Sequence, residues 1–307
     1  MHISKIARLA LPALVAAGMF ATPAHAQAAA ALGIVNLMML RGDDPKAGDQ
    51  PDAKKGFTGL RPPQWPTNIL GPIDKKLVEK GAQLYADICQ HCHLPPTSSP
   101  AFWKDEYWTK PNAAGQRYLI TTLVPVEEVG TDEAQAADLI KRRVTTPAEL
   151  GLTTDSFGPA LGELVGKAVE RWYNIEKVPL DERDEMNGNR KNEVRAPLAY
   201  KARPLEGVWA TPPYLHNGSV PTIQDLLSPP DERPKTFWLG HREYDPVKLG
   251  YVTGRLSGGF EYDTSKRGNA NTGHEFNDGY KPGGPNRKGL IGPKLSPDDR
   301  KALIEFL

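Results

Sequence analysis

The sequence predicts a mainly α-helical fold with long ordered loops and little β structure. Stretches with apolar residues at helical spacing alternate with segments dense in Gly and Pro. Those two residues number 29 each in 307, about a fifth of the chain where roughly an eighth is usual. No stretch alternates apolar with polar side chains as a half-buried strand does. Six Trp, ten Tyr and eight Phe can anchor a core despite a mean hydropathy of −0.49. Lys and Arg total 38 against 37 Asp and Glu, a net +1, so no basic field invites nucleic acid or an anionic membrane surface. Two cysteines exclude a disulfide-framework protein.

Residues 1–26 have the form of a signal peptide. Lys5 and Arg8 supply its charge, Leu9 to Phe20 its apolar run, and Ala24-His25-Ala26 a small-x-small cleavage site. Cleavage there takes the net charge from +1 to −1 and implies an exported, periplasmic protein. The competing reading is an uncleaved anchor continued by Ala28 to Leu40, a run short of the roughly 20 residues that span a bilayer. No transmembrane span is expected after cleavage. Residues 27–72 are polar and broken by Pro and Gly from Arg41 on, as suits a linker or an arm wrapped on the domain formed by residues 73–307.

Helices follow at stated places. Leu77, Val78, Gly81, Leu84, Tyr85 and Ile88 form one stripe of a helix beginning after Asp74. A second helix is predicted over Asp132 to Val144 with Thr131 as its cap, and a third over Pro159 to Asn174 on the spacing of Leu161, Leu164, Val165, Ala168, Val169, Trp172 and Tyr173. Thr222 caps a short helix, and Ser296 with Pro297 opens a final one through Leu307, where the apolar ending suggests a clipped sequence. Gly258 to Gly292 shows no period and reads as an ordered wrapping loop.

The first helix runs into the only two cysteines. Cys89-Gln90-His91-Cys92-His93 is C-x-x-C-H, the attachment signature of c-type haem. Two thiols one turn apart can add to both vinyl groups of one porphyrin while the next imidazole, His93, reaches the iron from the same side. A structural zinc site needs a second ligand pair, and no further Cys exists. A thioredoxin-like motif follows a strand, whereas a helix leads here. One motif implies one covalent haem c in a cytochrome c-like helical haem domain, with the leading and final helices packed together beside it.

The second axial position decides between electron transfer and oxygen or peroxide chemistry. The candidates are Met186, His216, His241 and His274, with Met38 and Met39 behind them; His91 points away because the pentapeptide spends its imidazole at His93. Met186 lies in a charged, solvated-looking stretch, while His216 lies in a turn-rich aromatic one. Arg203, Trp209 and Tyr214 are candidates to line the haem edge.

The stretch Tyr200 to Thr222, with Gly207-Val208-Trp209 and Pro212-Pro213-Tyr214-Leu215-His216-Asn217-Gly218 in it, resembles the segment after the second haem in the di-haem cytochrome c peroxidase superfamily, most closely its rubber-oxygenase-like branch. Gly268 to Phe276 and Gly289 to Ser296 resemble that branch too, so the likeness runs from about Leu60 to the end. The resemblance implies that the histidine of Gly273-His274-Glu275-Phe276 is the distal ligand, giving an iron held by His93 and His274. Family enzymes carry two C-x-x-C-H motifs; this chain has the relay-like one alone. Filled axial sites imply an electron carrier with an unidentified redox partner protein. The alternative is a peroxidase- or oxygenase-type haem enzyme, or its relay subunit. It needs an open or displaceable sixth position and nearby acid–base groups, for which His216 and Glu275 are candidates.

Overall fold

The computed structural model describes residues 62–112, 115, 117–187 and 197–307. The expected signal peptide, Met38, Met39 and most of the expected arm lie outside the described residues. Residues 62–109 and 120–307 form one compact unit, treated below; residues 110–119 group apart from it.

In chain order the unit starts with a single-turn helix α1 (Thr67–Leu70), then α2 (Lys75–Ile88) and the short α3 (Gln90–His93). Strand β1 (Thr122–Pro125), α4 (Val126–Val129), α5 (Ala134–Lys141), α6 (Phe157–Ile175), α7 (Leu180–Met186) and β2 (Ala199–Ala202) follow. The carboxy-terminal half holds α8 (Ile223–Leu226), β3 (Thr236–Leu239), β4 (Tyr244–Asp245), β5 (Gly250–Tyr251), β6 (Phe260–Asp263), β7 (Glu275–Phe276), β8 (Leu290–Gly292) and α9 (Pro297–Phe306). Among the described residues no helix is long and apolar enough to cross a membrane.

The mainly α expectation is corrected. The described residues are 38% helical and 14% strand, in several small sheets, a mixture neither clearly mainly α nor plainly of another class. β1 pairs antiparallel with β2, β3 with β6 and β4 with β5, while β7 and β8 run parallel. These ladders are two to four residues long, too short to leave a period of two in the sequence. Gly258 to Gly292, expected to hold no element, contributes β6, β7 and β8.

The helices show which local signals held. Asp74 caps α2, its carboxylate accepting from the amides of Lys76 (2.9 Å) and Leu77 (3.3 Å). Ser296 caps α9 through the amide of Asp299 (3.1 Å), and Thr222 caps α8 through that of Asp225 (3.0 Å). Helix α6 is slightly longer than its apolar pattern. The second helix is shorter than expected, and its cap position is Glu133, not Thr131, whose hydroxyl is buried without a partner. Helix α7 falls where a solvated stretch was read.

Helices α2 and α9 cross at Gly81, where a Cβ would stand 2.1 Å from the Ala302 carbonyl oxygen, so only glycine admits this approach. Around the crossing Tyr85 packs on Phe306 (ring centroids 5.1 Å) and Lys80 pairs with Asp299 (2.6 Å). The packing of leading against final helix is thus as expected. One face of this pair joins the core of Tyr85, Tyr214, Val220, Ile223, Leu227, Leu249, Phe276, Leu295 and Leu303. Ile223 and Leu303 are essentially fully buried, a contribution of about 1.5–3 kcal/mol each. Trp65, within the segment read as an arm, meets Trp209 edge-on at 5.1 Å.

Candidate haem site

Helix α2 delivers the pentapeptide. Cys89 ends α2, and its carbonyl accepts from the amides of Cys92 (3.1 Å) and His93 (2.9 Å), so one tight turn carries both thiols and the imidazole. The buried Tyr85 hydroxyl donates to the Leu94 carbonyl at 2.7 Å and locks the end of that turn. No disulfide joins Cys89 to Cys92. Burial, and then Cys92, pushes the Cys89 thiol up to about 12; burial and Glu128 push Cys92 up as well. The thiols of redox pairs are usually shifted the other way, toward thiolate, and neither cysteine here is. Nor do any three His, Cys, Asp or Glu side chains among the described residues cluster as a bare metal site.

His93 is oriented by its own ring. Its Nδ1 donates to the Arg203 carbonyl at 2.7 Å, leaving Nε2 as the free nitrogen, the arrangement that fixes a ligating imidazole. Burial lowers its pKa, favouring the neutral ring that binds iron. Arg203, expected at the haem edge, supplies its backbone carbonyl.

Across from His93 stands His274, with ring centroids 6.2 Å apart and planes at 67°. An imidazole nitrogen binds a first-row metal at about 2 Å, so two rings on opposite sides of one ion should have centres roughly 6–6.5 Å apart. The pair fits that spacing. Burial, and then His93 and Arg233, lowers the His274 pKa to about 3, so this ring too is neutral. His274 sits at φ 48 in the left-handed region, preceded by Gly273 at φ 76. A Cβ on Gly273 would lie 2.3 Å from the Thr131 amide nitrogen, so glycine lets the loop lie flat on residues 129–131.

The loop is tied down through its backbone. The amide of His274 donates to Val129 (2.9 Å) and that of Glu275 to Gly289 (2.8 Å). The buried Glu275 carboxylate accepts from the Gly273 amide (3.1 Å) and pairs with Arg287, so its role here is to brace the loop. Behind the loop the buried Arg233 guanidinium donates to the carbonyls of Asn271, Gly273 and His274 at 2.6, 2.9 and 3.0 Å. Sequence reasoning missed Arg233 because it sits in Pro230-Asp231-Glu232-Arg233-Pro234, which reads as solvated charge. It missed Tyr85 as a clamp because a Tyr in an apolar stripe reads as core.

The other candidates have neighbours of their own. His216 stacks on Tyr200 at 3.8 Å with its Nε2 buried and unpartnered, and burial lowers its pKa to about 4. His241 spends one nitrogen on the Gly254 carbonyl (2.7 Å) and lies 3.4 Å from Glu243 with the other. Met186 closes α7, and His91 is exposed. Trp209 packs between Trp65 and Tyr244, and Tyr214 is core, its hydroxyl donating to the carbonyls of Val208 (3.1 Å) and Leu249 (3.2 Å). Of the residues singled out, Cys89, Cys92, His93 and the Arg203 carbonyl are brought together, with His274 facing them.

Residues 199–238 match the family model described as "RoxA-like, cytochrome c-like". That match covers 40 of the 307 residues and supports a cytochrome c-like domain in this chain. Such a domain implies a haem c-binding cytochrome, with haem c and its iron as cofactor. The chain is also similar to two proteins of Sinorhizobium fredii. It is 59% identical over 263 residues to "Uncharacterized protein y4iJ", covering 85% of this chain and 43% of that one. It is 43% identical over 120 residues to "Uncharacterized protein y4iM", covering 35% of this chain and 26% of that one. The chain thus spans less than half the length of these curated relatives.

Proposed function

We propose that this chain is an exported, single-haem c-type cytochrome that carries electrons through an iron held between His93 and His274. The observation that supports it best is the facing pair at 6.2 Å, with Nδ1 of His93 committed to Arg203. Haem bound there supplies the one-electron iron couple. Cys89 and Cys92 would be its covalent anchors, and the neutral imidazoles of His93 and His274 would hold its iron. The chain's own work is to hold those rings, which the braced loop and the Arg203 carbonyl do. A single C-x-x-C-H supports one haem, and the amino-terminal pattern of residues 1–26 supports a periplasmic site of action.

A second reading draws on the longer relatives: the chain acts as the electron-relay part of a peroxidase- or oxygenase-type assembly. Both readings are tested by exporting the protein with haem-maturation machinery, measuring its intact mass, and assaying peroxide consumption. The carrier reading expects the mass of one haem per chain, electron exchange with a soluble redox dye, and no peroxide consumption above buffer. Peroxide turnover by the isolated chain would contradict it.

A further inference from the structure

The two facing imidazoles are held in different ways. His93 is oriented through its ring, by Nδ1 on the Arg203 carbonyl. The ring of His274 has no such bond to another residue: its Nδ1 is buried and finds only its own backbone nearby. Its direction is set by packing on the Phe276 ring (centroids 5.6 Å) and by its backbone, fixed at φ 48 by bonds on both sides: the amide on Val129 and the carbonyl under Arg233. A left-handed conformation is unfavourable for a non-glycine residue, so the surrounding structure must hold it there.

Arg233 is built for that task. All five N–H donors of its guanidinium are used, and every acceptor is a main-chain carbonyl. Two bonds reach the segment around α8, from Nε to Ser228 (3.3 Å) and from Nη2 to Leu226 (3.2 Å). The other three reach Asn271, Gly273 and His274. The side chain is 3% exposed, with the Glu275 and Asp225 carboxylates as its nearest opposite charges. It thus staples the His274 loop to the core around α8.

We propose that Arg233 is the positioning residue of the distal ligand: its guanidinium holds the His274 backbone in the one conformation that aims the imidazole at the iron. The proposal rests on the bis-histidine reading and deepens it. It gives His274 by way of the main chain what the Arg203 carbonyl gives His93 by way of the ring. A planar fork of five donors is needed, so lysine, with three donors at one point, cannot replace it.

The test uses haem-loaded protein with Arg233→Met and Arg233→Lys, beside Arg300→Met as a control. Arg300 bonds Ser228 Oγ (2.6 Å) and Glu232 (3.0 Å) on the same wall but does not touch the loop. The readouts are the ferric spin state, carbon monoxide binding to the reduced form, and the midpoint potential. Both Arg233 variants are expected to keep covalent haem but lose low-spin signal and bind carbon monoxide, Lys less than Met. Added imidazole restores the low-spin spectrum. With imidazole added, the potential of Arg233→Met falls below that of wild type, because a buried cation no longer opposes the ferric charge. Arg300→Met keeps the wild-type spectrum. If Arg233→Met does not accumulate, Arg233→Lys carries the test alone. A wild-type protein that is low-spin and blind to carbon monoxide, with Arg233 variants indistinguishable from it, overturns the inference and leaves the bis-histidine reading standing. A wild type that is itself high-spin or binds carbon monoxide overturns that reading, and the inference with it.

Discussion

Gly81→Ala should destabilise the protein, although the same change stabilises most helices. In an open helix, alanine gains about 0.8–1 kcal/mol over glycine. At Gly81 the new methyl would stand 2.1 Å from the Ala302 carbonyl oxygen and 2.7 Å from Phe306 Cβ. Comfortable carbon–oxygen contacts begin near about 3.3 Å, so α2 and α9 must part by about an ångström. The obstacle is backbone, which no rotamer change can relieve. Overpacking of this kind costs about 1–3 kcal/mol, occasionally more. With the upper end of that range set against the helical gain, the net loss is about 2 kcal/mol, a fall of roughly 4–8 °C in Tm for a chain of this size. Gly166 provides the opposite case on α6, since a Cβ there meets nothing within 4 Å; Gly166→Ala should raise stability by up to about 1 kcal/mol. Thermal unfolding of the haem-loaded variants, followed by far-ultraviolet circular dichroism, reads both. A Gly81→Ala protein as stable as wild type would refute the close crossing.

Three further outcomes are expected. Replacing Cys89 and Cys92 together by Ala should abolish covalent attachment, and haem that stays on the chain after acid-acetone extraction of that variant would contradict the attachment site. Tyr85→Phe removes the bond to the Leu94 carbonyl and should cost about 1–2 kcal/mol in denaturant unfolding, with no loss of covalent haem; an unchanged midpoint would show that the clamp contributes nothing. The Lys80 ammonium, with the Ser296 hydroxyl, holds Asp299 below the usual carboxylate range. A carboxyl with a depressed folded pKa lends stability that is full above its unfolded value of about 3.9 and is lost as pH falls through the folded value. Asp299→Asn should therefore cost under about 1 kcal/mol at neutral pH, the pair being partly exposed. That difference should close as pH drops below 4, and a gap that widened in acid would reverse the assigned sign.

What could be read from the sequence was local, and what could not was paired over distance. The caps at Asp74, Thr222 and Ser296 lie within three residues of their partners, so the sequence alone places the starts of α2, α8 and α9. The covalent half of the site is equally local, five residues on one turn. Strands β3 and β6 are joined through Thr236 and Asp263 and are only four residues long, so neither leaves a pattern. The Arg203 carbonyl is invisible for another reason: any residue supplies a carbonyl, and only the fold brings it 2.7 Å from an imidazole 110 residues earlier. His274 was marked by resemblance, not by spacing, and its strained backbone and the Arg233 fork behind it appear only in three dimensions. Trp209 and Tyr214 show the converse. Aromatic residues in a turn-rich segment suit a cofactor edge or a core equally well, and here they pack against Trp65, Tyr244 and Leu249.

The central claim is that two protein imidazoles occupy both axial positions of one haem iron. An optical spectrum of the mature, haem-loaded protein in the ferric, reduced, and reduced plus carbon monoxide states tests it most directly. The account predicts low-spin spectra in both oxidation states and a reduced spectrum unchanged by carbon monoxide. A high-spin ferric form, or a reduced spectrum that shifts on adding carbon monoxide, would show an accessible iron and contradict it.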